Sequence, residues 1–322
     1  MAPSSLNRSL FIGQDVGGTK ILTLLASRDG AILAKDTVPT RANQGPEAVL
    51  DEMLSAMTRA LAQAKAETGA LAGVGVGFAG LIGLEGTVAT APNLAGWNQV
   101  PLRAILEQRL GAPVAVGNDA NVAAVAEHQM GAGKGVDDMV YLAIGTGIGA
   151  GVIVGGHIVL GHSGLAGEAG HMVVSVNGPR CACGKSGCLE ALASGSALER
   201  EARARMGTPS ARSSEAITAP QLFEAAARGD SIAKEIIAEG SRFLGVGLAN
   251  LVNLLDPKAI IIGGGLSHRW EEYIAPAIQE MNNAIALTRP SANVRVLPAG
   301  LGDRSVALGA LALAKDLVRG VR

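Results

Sequence analysis

Three glycine-rich segments each follow a run of apolar residues that has the length of a β-strand. They read DVGGTK at residues 15–20, GTGIGAG at residues 145–151 and GGG at residues 263–265. Glycine allows backbone amides to come close to a bound anion, so turns of this kind at strand ends are typical of a nucleotide-binding α/β protein. The first two turns each join two strand-like runs, which indicates two related halves that bind one ligand.

The order of elements around the first turn excludes two common nucleotide-binding folds. Residues 10–16 and 21–26 are predicted strands, and the dipeptide Asp29-Gly30 predicts a hairpin turn to a third strand at residues 31–38. In a Rossmann unit the glycine turn leads into a helix, whereas here it leads into a strand. The P-loop pattern GxxxxGK[ST] is absent from the sequence. The chain is therefore predicted to open with three antiparallel strands.

The rest of the chain alternates predicted helices and strands. Apolar spacing predicts helices at residues 46–68, 101–110, 122–130, 194–204, 219–228, 231–255, 269–285 and 306–318. Short apolar runs predict strands at residues 74–78, 114–116, 139–144, 152–154, 259–262 and 293–297. With 322 residues, the chain has the length of two α/β domains that each bury a core.

The charge balance limits the class of partner. The formal net charge is −1, which argues against a nucleic-acid or anionic-membrane surface and favours a small-molecule partner. The N-terminal sequence MAPSSLNRSL lacks the apolar core of a secretory signal, and the longest apolar runs are only strand-sized. We therefore expect a cytoplasmic protein that binds neither nucleic acid nor membrane.

All three cysteines of the chain lie close together, a few residues after a histidine. Cys181, Cys183 and Cys188 with His171 supply the four ligands that a tetrahedral zinc ion prefers. The alternative is that the cysteines are small core residues, the common role of an isolated cysteine. Their clustering favours the metal. Because four protein ligands leave no position for water, the predicted zinc is structural rather than catalytic.

Two polar residues follow the predicted strand at residues 114–116. Asp119, beside Asn118, is a candidate general base, because phosphoryl transfer to an alcohol needs a carboxylate that orients the hydroxyl and accepts its proton. The alternative, which the local sequence favours slightly, is that Asp119 caps the helix predicted at residue 122, since Asp and Asn are preferred caps. The local sequence leaves both roles open.

Sugar binding is one of two roles open to the two glutamates near the cysteines and to Trp97. Glu168 and Glu190 flank the cysteine segment, where they are either surface carboxylates or acceptors for the hydroxyls of a polyol. His171 can hold zinc with one ring nitrogen and donate to a sugar hydroxyl with the other. Trp97 is either a packing residue or a platform for a sugar ring.

Together these segments resemble the ROK family of sugar kinases and repressors from end to end. The resemblance rests on DVGGTK (15–20), NDAN (118–121), GTGIGAG (145–151), GEAGH (167–171), CACGKSGCLE (181–190) and IIIGGGLS (260–267). It implies an actin-like ATPase (ribonuclease H-like) fold with two α/β domains and a central cleft, the sugar at its base and ATP across its mouth. Two departures, Ala150 in the second turn and Gly117 before NDAN, remove no functional group.

The resemblance also implies where the domains lie. Residues 1–118 would form the N-terminal domain, with the first phosphate loop and part of the sugar site, and the C-terminal helix at about residues 304–322 would pack back on it. Residues 119–303 would form the C-terminal domain with the second phosphate loop, the zinc loop and the adenosine site.

The same resemblance assigns roles to individual residues. Asp119 would be the catalytic base. The sugar would contact Gly80, Asn118, Asp119, Glu168, His171 and Glu190. The nucleotide would contact Asp15, Gly17, Gly18, Thr19, Lys20, Gly145, Thr146, Gly147, Gly263, Gly264 and Gly265. The implied cofactors are ATP, Mg²⁺, which Asp15 can hold through water, and a structural Zn²⁺ on His171, Cys181, Cys183 and Cys188.

The expected reaction is ATP-dependent phosphorylation of D-glucose at its 6-hydroxyl. PNLAGW at residues 92–97, followed by Pro101-Leu102, is similar to the glucokinase branch of the family. The alternatives are a kinase for N-acetylglucosamine, N-acetylmannosamine, mannose or fructose. A sugar-responsive regulator is less expected, because such repressors carry a helix-turn-helix ahead of the first phosphate motif, which here begins at Asp15. The resemblance also leads us to expect a homodimer that serves carbohydrate metabolism.

Overall fold

The computed structural model describes residues 9–207, 217–285 and 294–320. These residues form two compact units. The first contains residues 9–135, 151–167 and 300–320, and the second contains the described residues of 136–150 and 168–299. The domain limit expected between residues 118 and 119 stays a prediction, and the residues directly after it, up to 135, belong to the first compact unit.

The N-terminal part of the chain builds a mixed sheet and three helices. In chain order the elements are β1 (Leu10–Val16), β2 (Lys20–Ser27), β3 (Ile32–Pro39), α1 (Pro46–Gln63), β4 (Leu71–Phe78), β5 (Leu81–Ile82), β6 (Val88–Thr90), β7 (Asn98–Val100), α2 (Leu102–Leu110), β8 (Val114–Asn118) and α3 (Asp119–Met130). The strand order is β3-β2-β1-β4-β8. The three antiparallel opening strands are confirmed, and β4 and β8 extend the sheet in parallel with β1.

Within the described residues, the remaining elements form a second five-stranded sheet and six α-helices. They are β9 (Met139–Ile144), β10 (Ile148–Val154), β11 (His157–Ile158), α4 (Leu189–Ala193), α5 (Gly195–Met206), α6 (Ala219–Ala227), α7 (Ser231–Leu255), β12 (Ala259–Gly263), α8 (Ala275–Ile285), β13 (Arg295–Pro298) and α9 (Ser305–Arg319). The strand order is β11-β10-β9-β12-β13, with β12 parallel to both of its neighbours.

Helices pack on both faces of the first sheet. Side chains alternate along each strand, so neighbouring residues of one strand enter different cores. Ile12 of β1 faces the core that includes Met53 of α1, while the adjacent Phe11 faces Leu311 of α9. Helix α9 lies so close to the sheet that a Cβ on Gly75 of β4 would overlap the backbone of α9. The terminal helix therefore packs on the first sheet.

The aromatic residue Trp97 belongs to the core of the first unit. Only 2% of its surface is exposed, and its ring centroid lies 4.5 Å from that of Phe78 at the end of β4. The strands β5, β6 and β7 form a small separate sheet around this region of the chain. The packing role of Trp97 is the one that the structure bears out.

Several predicted elements begin at other residues than expected. The strand expected at residues 152–154 already begins at Ile148, because the glycines of the second turn continue directly into β10. The helix expected at residues 269–285 opens with a π-helical turn, Trp270–Ile274, before α8. The first residue of the strand expected at 293–297 lies outside the described part, and β13 occupies Arg295–Pro298. Within the described ranges, no helix is both long and apolar enough for a membrane span.

Candidate active site and metal centre

The first glycine turn closes with backbone hydrogen bonds between β1 and β2. The N–H of Gly17 donates to the carbonyl of Lys20 at 3.1 Å. Thr40, directly after β3, donates its N–H to the carbonyl of Thr19 at 3.1 Å and its hydroxyl to the carbonyl of Gly17 at 2.6 Å. The carbonyls of Gly17, Thr19 and Lys20 are thus bonded within the protein, whereas the N–H groups of Gly18 and Thr19 have no protein acceptor within the described residues and are available to an anion.

Asp15 lies at the end of β1, in a strongly perturbed environment. Burial raises its pKa from 3.8 to about 7; the carboxylates of Asp119 and Asp303 raise it too, and Lys20 opposes them. Lys20 Nζ lies 3.5 Å from Asp303 Oδ2. The first unit thus places Asp15, Lys20 and Asp119 close enough to interact, together with Asp303, which sequence reasoning did not single out.

Asn118, and not Asp119, caps helix α3. The side-chain oxygen of Asn118 accepts from the N–H groups of Ala120 at 3.0 Å and Asn121 at 3.1 Å. Asp119 is the first residue of the helix, and its carboxylate accepts from the N–H of Ala120 at 2.8 Å. The capping role considered for Asp119 is therefore wrong, since the helix begins earlier than the predicted residue 122.

The same asparagine connects two predicted sugar-binding residues. Asn118 Nδ2 donates to the carbonyl of Gly80 at 3.0 Å, which fixes the chain after β4 beside the start of α3. A carboxylate at a helix N-terminus interacts favourably with the partial positive charge there, as Asp119 does at the start of α3. The first unit thus brings Gly80, Asn118 and Asp119 together.

The second glycine turn lies in the second unit, against the start of α5. The N–H of Gly195 donates to the carbonyl of Gly145 at 2.8 Å, and Ser196 Oγ donates to the carbonyl of Thr146 at 2.7 Å. The N–H of Gly145 donates to the carbonyl of Gly147 at 2.9 Å. As in the first turn, the carbonyls are bonded to protein groups.

Glu190 connects the second turn to the cysteine segment. Its Oε2 accepts from the N–H of Ile148, the fourth residue of the second glycine segment, at 2.9 Å. A Cβ on Gly147 would overlap this carboxylate, so a larger residue there would force the Glu190 side chain to shift. Glu190 therefore has a fixed orientation in the second unit.

The third glycine turn ends β12 next to the second turn. Gly264 has a φ of 82°, and a Cβ there would meet the backbone of Ile144 at the end of β9. The position that a Cβ of Gly145 would take is 3.8 Å from the N–H nitrogen of Gly265. Gly263, Gly264 and Gly265 thus lie beside the predicted phosphate loop of the same unit.

The histidine and the three cysteines converge on one point. One donor atom from each of His171, Cys181, Cys183 and Cys188 lies within 4.8 Å of all the others. Cys181 Sγ is 3.8 Å from His171 Nδ1, and the sulfurs of Cys183 and Cys188 are 3.6 Å apart. In a tetrahedral zinc site, Zn–S bonds of about 2.3 Å and Zn–N bonds of about 2.0–2.1 Å place the ligand atoms about 3.5–3.8 Å apart. The donor set and its spacing therefore fit a zinc ion.

The thiols of this cluster differ in electrostatic environment. Burial raises the pKa of Cys188 to about 12 and also raises the pKa of Cys181. At Cys183, the exposed member, a hydrogen bond from the backbone of Lys185 lowers the pKa. Buried thiols at this spacing become thiolates only when a cation compensates the charge, which is the role of a bound metal.

Glu168 lies on the other side of the imidazole. Its Oε2 is 3.9 Å from His171 Nε2, whereas Nδ1 of the same ring faces Cys181. Burial raises the pKa of Glu168, the His171 charge lowers it and Glu190 raises it. The second unit therefore assembles Glu168, His171 and Glu190 around the predicted metal centre.

Sequence reasoning missed four residues that contact the glycine turns or segments next to the candidate site. Thr40 and Ser196 hydrogen-bond to the glycine turns, and Asp303 lies 3.5 Å from Lys20 of the first turn. Of these three, Asp303 alone had a local signal, an acidic residue ahead of a predicted helix. Glu127 of α3 is fully buried and accepts hydrogen bonds from three backbone N–H groups. Its signal was a lone carboxylate within an apolar helical stretch.

Comparisons with known proteins agree with this architecture. The chain is 37% identical over 320 residues to a glucokinase of Streptomyces coelicolor, covering 95% of this chain and 98% of the relative. It is 34% identical to the ROK hexokinase of Thermus thermophilus, with a TM-score of 0.83 and coverage of 97% and 99%.

A second solved structure, a Streptomyces griseus ROK glucokinase in complex with glucose and AMPPNP, is 37% identical, with a TM-score of 0.82 and coverage of 95% and 99%. The expected actin-like ATPase fold is confirmed by these structures. A family profile described as the ROK family matches residues 11–317. The chain therefore belongs to the ROK family.

Proposed function

We propose that this protein is an ATP-dependent glucokinase that phosphorylates D-glucose at the 6-hydroxyl. The observation that carries the proposal is the position of Asp119 at the N-terminus of α3, beside Asn118 and Gly80. The chain is similar over nearly its whole length to glucokinases, one of them in complex with glucose and AMPPNP, and this similarity supports the same activity.

Asp119 acts as the general base. Phosphoryl transfer requires little covalent chemistry from the protein but needs a carboxylate that orients the acceptor hydroxyl and takes its proton. The start of α3 suits this role because the hydrogen bond from Ala120 and the helix dipole hold an ionised carboxylate in one orientation. Asn118 is occupied by its cap and by Gly80, so it offers the sugar a rigid rather than a mobile amide.

The nucleotide is bound by the glycine turns. Their amides bind phosphate oxygens, and Gly263, Gly264 and Gly265 accommodate the adenosine. Asp15 would hold Mg²⁺ through water. When bound, this ion would neutralise negative charge on the phosphates. Lys20 and Thr19 complete the first phosphate site.

The sugar hydroxyls are bound by the carboxylates near the cysteine cluster. Glu168 and Glu190 accept from hydroxyl groups, and His171 donates or accepts through the nitrogen that faces away from Cys181. Zinc on His171, Cys181, Cys183 and Cys188 would be structural, since four protein ligands leave no position for water. When bound, zinc would hold rigid the loop on which these side chains lie.

The cellular setting follows from the chemistry. ATP and reduced thiols are both available in the cytoplasm, which we propose as the location. The product, glucose 6-phosphate, serves carbohydrate metabolism such as glycolysis. Dimers are usual in the family, so we propose a homodimer; light scattering at several concentrations would measure the mass, and a mass of one chain throughout would contradict it.

A coupled ADP-release assay tests the function. The protein is supplied with Mg·ATP and with glucose, mannose, fructose, N-acetylglucosamine or N-acetylmannosamine in turn. We expect the highest kcat/KM for glucose. Activity on an N-acetylated sugar alone would keep the mechanism and reject glucose, and inactivity on all five sugars would reject the kinase assignment in favour of a sugar-responsive regulator.

A further inference from the structure

Thr40 binds the first glycine turn through two hydrogen bonds. It is 1% exposed, and it donates its hydroxyl to the carbonyl of Gly17 at 2.6 Å and its N–H to the carbonyl of Thr19 at 3.1 Å. The residue lies directly after β3, which the hairpin brings beside the turn. Both donors of Thr40 are therefore used on carbonyls of this turn.

Ser196 binds the second glycine turn in the same way. Its hydroxyl donates to the carbonyl of Thr146 at 2.7 Å, and its N–H donates to the same oxygen at 3.3 Å. The preceding residue, Gly195, donates its N–H to the carbonyl of Gly145 at 2.8 Å. The start of α5 therefore contributes its first N–H groups to the turn.

Because the peptide bond is planar, a hydrogen bond that fixes a carbonyl also fixes the direction of the N–H of the next residue. In a trans peptide the C=O of one residue and the N–H of the next point in opposite directions. Holding the Gly17 carbonyl therefore directs the N–H of Gly18 away from Thr40, and holding the Thr146 carbonyl directs the N–H of Gly147 away from Ser196. Within the described residues, neither of these two N–H groups has a protein acceptor.

We propose that Thr40 and Ser196 are positioning residues for nucleotide binding. Neither needs to touch the nucleotide, because each acts through one peptide plane of a glycine turn. Glycine turns are flexible, and without a fixed carbonyl each turn would sample orientations in which its amide points away from a phosphate. This inference rests on the proposed kinase function, in which both turns bind phosphate.

The hydroxyl of Thr40 is tested with Thr40→Val, which keeps the shape of the side chain. We expect the KM for Mg·ATP and the Kd for AMPPNP to rise at least tenfold, while the KM for glucose changes less than about threefold. Thr40→Ser keeps the hydroxyl and should restore both values. The control is Thr23→Val, which removes another buried hydroxyl, one that is bonded to Gln14 in the same sheet.

Ser196→Ala supplies an independent test, because Ser196 is exposed and its loss cannot disrupt a core. We expect the same selective loss of nucleotide affinity, whereas Ser27→Ala, which removes an exposed hydroxyl bonded to Ala31, should leave it unchanged. Calorimetry with AMPPNP measures binding without turnover. This variant also decides the question if Thr40→Val does not fold.

The outcomes separate the inference from the function. Unchanged nucleotide affinity in Thr40→Val and Ser196→Ala, or an equal loss in the control variants, would overturn the inference while an active wild type upholds the kinase. A wild type that binds AMPPNP without phosphorylating any sugar, and loses that binding in both variants, would support the inference and reject the kinase. A wild type that binds no nucleotide would reject both.

Discussion

Glu190 Oε2 accepts a hydrogen bond of 2.9 Å from the backbone N–H of Ile148. The contact joins the residue that begins β10, within the second glycine segment, to a carboxylate proposed to bind sugar. A Cβ at position 147 would overlap the Glu190 carboxylate in its present orientation, so a larger residue there would displace this side chain. We therefore expect the proposed sugar and nucleotide sites of the second unit to be coupled through this one side chain.

Gly147→Ala tests this coupling. The added Cβ displaces the carboxylate of Glu190 and the adjoining turn, so we expect KM to rise at least tenfold for both glucose and Mg·ATP. Initial-rate kinetics with each substrate varied in turn measure both constants. The control is Gly83→Ala, where the new Cβ meets only Thr87 O at 3.8 Å. An effect on one substrate alone would contradict the coupling.

Asp119→Asn tests the general base. The amide keeps the size of the side chain and cannot accept the proton, so we expect turnover to fall by about 10²–10⁴-fold. Glucose affinity, measured by calorimetry, should stay within about twofold of the wild type because the cap at Asn118 is untouched. Full activity in this variant would remove Asp119 from the mechanism.

Cys183→Ser tests the metal centre. Cys183 is the exposed member of the cluster, so without a metal its replacement should change the free energy of unfolding by only about 0.5 kcal/mol. With a structural zinc we expect loss of both the metal and several degrees of Tm. Elemental analysis should find one zinc per wild-type chain. A stable, active variant without zinc would show that the metal has no structural role.

The titration of Asp15 should be visible in the stability of the free protein. Its folded pKa of about 7 exceeds the ordinary 3.8, so between these values the folded state binds more protons than the unfolded state. The contribution to stability is complete below about pH 4 and is lost as the pH rises to about 7. The loss in the free energy of unfolding over this pH range is on the order of a few kcal/mol.

Urea unfolding of the wild type and of Asp15→Asn, without Mg²⁺ or nucleotide, measures this difference. The asparagine does not titrate, so the stability gap between the two proteins should change in favour of the variant as the pH rises through that range. Parallel pH profiles for the two proteins would show that Asp15 is ionised at neutral pH in the folded state.

Glu127→Gln tests the buried carboxylate of α3. The carboxylate accepts from the N–H groups of Ala132 at 2.8 Å and of Gly300 and Leu301 at 2.9 Å. A glutamine places its NH₂ group against some of these donors, and we expect a loss of about 3 kcal/mol in the free energy of unfolding. Urea unfolding beside Glu67→Gln, an exposed glutamate, provides the comparison. Equal stability of the two variants would disprove this role.

Local sequence was sufficient where a function is built from neighbouring residues. The three opening strands, the glycine turns and the cysteine segment were predicted because period-two alternation, missing Cβ atoms and close ligand spacing all act over a few residues. Convergence of His171 with Cys181, Cys183 and Cys188 agrees with that spacing.

Local sequence was insufficient where two neighbouring residues are suited to the same role. Asn118 and Asp119 are both good caps, and only the hydrogen bonds of the folded chain assign the cap to Asn118. That assignment moves the start of α3 and places Asp119 in the first helical turn.

The sequence by itself determined the types of chemistry available to this protein: glycine amides, a strand-end carboxylate and a cluster of soft metal ligands. The tertiary structure decided how those groups are oriented. Thr40, Ser196 and Glu190 orient them through hydrogen bonds to backbone groups, and a backbone N–H or C=O is chemically the same at every residue. No local pattern can therefore identify which backbone group a distant side chain will bind, and only the packed chain selects it.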